Sequence, residues 1–132
     1  MRMVVMLLLG LFVGALGAVT AISAMRQETP LSKATMTVAG HHAGALGDMI
    51  KSGKCDAVAA EAHLRSMRSV AQDFDAAFLP TGGDDTQFRK YGTDLLGALD
   101  AALASAPPTC EALGQAMKPV GAACKACHED FR

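Results

Sequence analysis

The chain has 132 residues, a formal net charge of -1 and 51% apolar residues, with no Trp and one Tyr. That balance excludes the strongly basic surface that nucleic-acid binding needs, and the like-charge blocks typical of disordered tails. With the first two dozen residues set aside as a targeting or membrane segment, about 105 to 110 remain, enough for one domain around one core.

Between Met3 and Met25 there is no charged residue, and Arg2 is the single charge before them. Leu7 to Val13 forms an apolar centre, and Ala21-Ile22-Ser23-Ala24 offers small residues at a cleavage site just before Ala24. Residues 1–24 therefore read as a secretory signal peptide ahead of a domain over 25–132. The competing reading is an uncleaved anchor over 3–25. The apolar run reaches the roughly 20 residues that span a bilayer, and Gly10 and Gly14 have the Gly-x-x-x-Gly spacing of packed membrane helices. In both readings Arg2 stays cytoplasmic and the rest is exported, to a periplasm.

Four helical segments follow Pro30, with few β-branched residues to oppose them. The first runs from about Leu31 to Lys51 and stops at Ser52-Gly53, a C-cap signal. The second runs from about Asp56 to Leu79 with an apolar stripe at Ala60, Leu64, Met67, Ala71, Phe74 and Phe78. Pro80-Thr81-Gly82-Gly83 breaks the chain. The third starts near Asp84-Asp85 and carries Phe88, Tyr91, Leu95, Ala98 and Ala102. Pro107-Pro108-Thr109 leads into the fourth, with Thr109 as N-cap and Glu111 in the first turn. Its stripe is Leu113, Met117, Val120, Cys124, Cys127 and Phe131; Pro119 removes a backbone donor and should kink this helix or loosen its first half. The expected fold is all-α: an up-down-up-down antiparallel four-helix bundle behind an N-terminal apolar helix.

The chemistry sits at the end of that fourth helix. Cys124-Lys125-Ala126-Cys127-His128 is a Cys-x-x-Cys-His motif, the attachment signature of c-type haem. Residues three and four apart share a helical face. Cys124 and Cys127 can each form a thioether to one porphyrin, and His128 can bind the iron from the same side. A structural zinc site needs four ligands, and this cluster has three. Both cysteines fall on the apolar stripe, so the macrocycle should lie inside the bundle. Cys55 and Cys110 remain, an even number in an exported chain. In an antiparallel bundle both would follow connections at the same end, which makes a Cys55–Cys110 disulfide reasonable; two separate thiols is the alternative.

With these features the chain resembles a class II c-type cytochrome, of the cytochrome c′ family and its low-spin relatives, over about residues 31 to 132. The resemblance is strongest from Met117 to Arg132, where Glu129, Phe131 and Arg132 follow the motif as family residues often do. It implies a four-helix bundle with one covalent haem c, and places Arg132 near the proximal haem face. It also places Met36, about fifteen positions before the Lys51-Ser52-Gly53 turn, on the distal side of the iron. In the low-spin branch a Met there binds the iron; in cytochrome c′ proper an apolar, non-ligating residue leaves iron five-coordinate. Where the family often has an Arg one turn earlier, this chain has Ser32.

Met36 is followed on its stripe by Ala39, Gly40, Ala43 and Gly47, small residues that let a flat ring approach the backbone. As a bare sequence feature, Met36 is equally a gap-filling core residue. His41 and His42 lie roughly 140° and 240° around the helix from Met36 and should be solvated, with binding of a stray metal by the pair as the alternative; His63, off its stripe, should be exposed. Lys33 is a remote ligand candidate, Met67 and Met117 read as core, Met49 as off-stripe, and Tyr91 as a partly buried core residue that could reach a haem propionate.

The function expected is an electron carrier, not an enzyme, with iron held by His128 and Met36. Its partner would be a redox protein or a membrane electron-transfer complex, with membrane contact if the leader is retained. The alternative is a gas-binding protein whose five-coordinate iron takes NO or CO. The resemblance also admits a homodimer.

Overall fold

A computed structural model describes residues 2–25, 31–79 and 85–131. The Pro80 to Asp84 break and Arg132 fall outside the described residues. The elements are α1 (Arg2–Met25), α2 (Leu31–Ser52), α3 (Ala57–Gln72), α4 (Phe74–Phe78), α5 (Thr86–Ser105) and α6 (Cys110–Asp130).

The described side chains of α1 from Met6 to Leu16 are exposed, apolar ones on every side. Such a helix has no single stripe to offer a soluble bundle. Among the described residues no helix is long and apolar enough to cross a membrane.

The other elements form the expected four-helix bundle. α2 packs on α3 and α6, α3 on α5, and α5 on α6, closing a ring. Each helix end is set by local chemistry. Gly53 adopts φ 68° after α2, and the Gly53 and Lys54 amides donate to Ile50 O and Met49 O at 3.2 Å each. That is a Schellman cap, and glycine takes the left-handed conformation without Cβ strain. Asp56 caps α3 by accepting from Ala59 N at 2.7 Å, Asp85 caps α5 from Phe88 N at 3.0 Å, and Thr109 caps α6 from Ala112 N at 3.2 Å. Ala106 ends α5 at φ 39°, a left-handed position taken by a residue that has a Cβ.

One expectation of continuity changes. The single helix expected over 56–79 is two: Asp73 stands between α3 and α4 at φ -89°, ψ 0°, its amide donating to Val70 O at 3.1 Å. That is a tightened last turn. The Asp73 carbonyl then accepts from Ala77 N at 2.9 Å, starting the next helix at once. Conversely, α6 runs through Pro119 without interruption. The proline is exposed. Proline has no N–H to donate, so one intrahelical bond is lost there.

The core divides along the bundle axis. At one end Leu46, Leu64, Leu99 and Leu113 are fully buried, one from each helix of the ring, and the Cys55–Cys110 disulfide ties the α2–α3 connection to the start of α6. Its Cα atoms are 5.2 Å apart, an ordinary span for the bond. At the other end the filling is aromatic. Phe78 meets Phe74 edge-on at 5.8 Å and lies tilted 5.5 Å from Phe88, and Phe131 meets Phe88 edge-on at 5.5 Å. Exposed pairs Arg68–Asp100 and Arg89–Asp75 join neighbouring helices on the surface, where ion pairs add little stability.

Candidate functional site

The aromatic end does not close. A cleft of about 870 Å³, counting the part open to solvent, runs between the helices. Its walls are Met36, Ala39, Gly40 and Ala43 from α2, Met67 from α3, Phe74 from α4, Phe88, Tyr91, Gly92 and Leu95 from α5, and Ala123, Cys124, Cys127 and His128 from α6. The early part of α2 and α5 thus faces the late part of α3 and α6, as antiparallel neighbours require.

Small residues make the space. A Cβ built at Gly40 or Gly92 would meet nothing within 4 Å. Among the described residues no Asp, Glu, Lys or Arg lines the cleft. Tyr91 turns its hydroxyl outward and donates to Asp130 Oδ2 at 2.5 Å, tying α5 to the end of α6. That hydrogen bond raises the Tyr91 pKa above its ordinary value.

The two cysteines are half-buried. Burial, then the neighbouring Cys127, pushes the Cys124 thiol up; burial, then Asp130, does the same to Cys127. A redox dithiol works through a thiolate, which this setting disfavours. A pair of neutral thiols on an apolar wall, with an imidazole one residue beyond, suits thioether attachment of a flat, largely apolar ring.

A family profile decides the matter: that of Cytochrome C′ matches residues 29–132. The chain belongs to the cytochrome c′ family. Members carry a covalently attached c-type haem, and this chain is a monohaem c-type cytochrome. Among solved structures it is similar to the nitric oxide complex of a point mutant of cytochrome c prime from Alcaligenes xylosoxidans. The two share 25% identity with a TM-score of 0.66, over 76% of this chain and 90% of that one. No curated protein matches.

The cleft brings together Met36, Cys124, Cys127 and His128 from opposite ends of the domain. Arg132 lies outside the described residues. Of the small residues expected beside Met36, Ala39, Gly40 and Ala43 line the cleft and Gly47 does not. Lys33 is exposed. Met49, read as off-stripe, is half-buried against the core. Met67, Phe74, Phe88, Gly92 and Leu95 belong to the cleft, although their stripes marked them only as core or left them unremarked. His63, expected to be exposed, is half-buried, with its Nδ1 2.9 Å from His42 Nδ1.

Proposed function

We propose that Cys124 and Cys127 tether the haem, that His128 is its proximal ligand, and that the opposite face takes a small neutral diatomic gas, NO or CO. The observation that carries this reading is the α2 wall: Met36, Ala39, Gly40 and Ala43 present no charge and no hydrogen-bonding side chain. Such a wall admits a small neutral molecule, repels ions and gives water no partner. The relative solved as a nitric oxide complex supports the same reading. When bound, haem supplies an iron coordination site and a one-electron couple. The chain's own residues fix its position, exclude solvent through the Phe74, Phe78 and Phe88 rings, and limit ligand size through Met36.

A second reading rests on Met36 itself. Its thioether lies on the wall of the cleft that His128 also lines. If it binds iron, coordination is His/Met, the potential rises and the protein is an electron carrier serving a redox partner. The optical spectrum of the reduced protein with and without CO separates the two. A broad high-spin spectrum that shifts on CO supports gas binding; a sharp low-spin band indifferent to CO supports ligation by Met36.

Export belongs to the same proposal. α1 and the uncharged run after Arg2 act as a leader that delivers the domain to the periplasm, and N-terminal sequencing of native protein reads where it is cut. Self-association through the exposed Leu31, Val38 and Val58 of α2 and α3 is the accompanying expectation. Sedimentation of the holoprotein tests it.

A further inference from the structure

The α2–α3 contact carries a second nitrogen cluster that the haem site does not use. His41 and His42 stand on α2 and His63 on α3, with ring centroids 5.2 Å (His41–His42), 5.2 Å (His42–His63) and 6.4 Å (His41–His63) apart. The closest approach is between two like atoms, His42 Nδ1 and His63 Nδ1, at 2.9 Å. No group of three or more His, Cys, Asp or Glu among the described residues is arranged around one point to hold a metal. The protein therefore offers two donors here, with water for the rest.

We propose that His42 and His63 form a two-nitrogen chelate for a divalent transition metal, copper(II) before zinc. The spacing decides the order. Imidazole–metal bonds are about 2.05 Å long, so nitrogens 2.9 Å apart subtend about 90° at a shared ion. That is the cis angle of a tetragonal site, the geometry of copper(II) and nickel(II). A tetrahedral zinc site would spread the same two nitrogens to about 3.3 Å. The order of divalent affinities also favours copper over zinc.

The setting suits the chemistry. Both rings are half-buried and held on separate helices, so the chelate is preorganised by the α2–α3 packing. Burial, then His63 and His41, keeps the His42 pKa below its ordinary value, so at neutral pH its ring is uncharged and has a lone pair to give. The Nδ1–Nδ1 contact is a hydrogen bond in which one ring donates, so binding needs that ring to carry its hydrogen on Nε2 instead. His41 is exposed and farther from His63, and is not counted as a ligand. The site lies beside the haem cleft, since His42 precedes the lining residue Ala43 and His63 is one turn before the lining residue Met67. A bound copper ion would be a second redox-active centre along that wall.

The test is titration of copper(II) chloride into haem-loaded protein at pH 7.5, followed by calorimetry and by electron paramagnetic resonance. One ion per chain is expected, with superhyperfine splitting from two nitrogens. His42→Gln and His63→Gln should each weaken binding at least tenfold, and His41→Gln less than threefold, with haem absorption unchanged throughout. The proposal is overturned if the double variant His42→Gln/His63→Gln binds copper as tightly as the native chain. Copper signals from native protein with fewer than two nitrogens overturn it as well, and that readout depends on no variant folding. Zinc chloride binding as tightly as copper overturns the right-angle geometry.

Discussion

Replacing both Cys55 and Cys110 by Ala removes the one covalent tie between the α2–α3 connection and the start of α6. The bond closes a loop with a sequence separation of 55 residues. In the chain-entropy account such a loop removes about 14 cal/mol/K from the unfolded state, or ~4 kcal/mol at room temperature. The packing that the two sulfurs provide is minor by comparison. Cys55 lies half-buried against the core, and the Cys110 sulfur is 3.7 Å from Met49 O. A domain near this size has a melting shift of about 4 °C or more per kcal/mol, so the midpoint should fall by roughly 15 °C. Urea unfolding of the oxidised holoprotein, without reductant, measures the free energy directly. A loss of less than about 1 kcal/mol would refute the reasoning. A thiol count on denatured native holoprotein then says why: zero free thiols means the crosslink exists but does not restrict the unfolded chain, and two means it is not formed.

Other substitutions probe the cleft and its frame. Gly92→Leu should fold, because a Cβ there meets no atom within 4 Å, but should cut haem content per chain severalfold by filling the cleft; equal haem content by pyridine haemochrome assay would contradict the assignment of this space to the porphyrin. Ala106→Gly relieves the left-handed Cβ at φ 39° and should raise the urea-unfolding free energy by about 0.5–1 kcal/mol, the strain relieved less the added flexibility of the unfolded chain. Tyr91 has a folded pKa above its ordinary 10.0 because it donates to Asp130. Its contribution is therefore complete below about pH 10 and disappears as pH rises through the folded value. Tyr91→Phe should flatten the alkaline limb of the melting profile and leave its shape at neutral pH unchanged; an unaltered alkaline limb would exclude that hydrogen bond.

The bundle was legible because each helix carries an apolar stripe and a recognisable end, as Gly53, Asp85 and Thr109 illustrate. The break at Asp73 was not. Ala60, Leu64, Met67, Ala71 and Phe74 are buried in unbroken periodic order across it, so the pattern of burial gives no sign of the turn. Pro119 stands at an exposed position inside a continuous α6, where it removes one backbone donor without ending the helix. The Cys124–His128 cluster announced itself through spacing. The rest of the cleft did not, because a helix stripe looks the same whether it packs against another helix or lines a cavity. What separates the two is how many small residues converge, and Gly40, Ala43 and Gly92 come together only in three dimensions. The His42–His63 contact was hidden for a related reason: each histidine is off the stripe of its own helix, and their meeting depends on how α2 and α3 are set against each other.

The gas-binding proposal requires an apolar distal face, walled by Met36 and its small neighbours, that stands open to a diatomic ligand. The most direct measurement is the visible spectrum of the reduced holoprotein before and after CO. Gas binding gives a broad, high-spin spectrum that shifts on CO addition, and faster CO uptake in Met36→Ala as the wall recedes. A sharp low-spin α band that persists under CO, and turns high-spin in Met36→Ala, would contradict it and assign the sixth position to the Met36 sulfur.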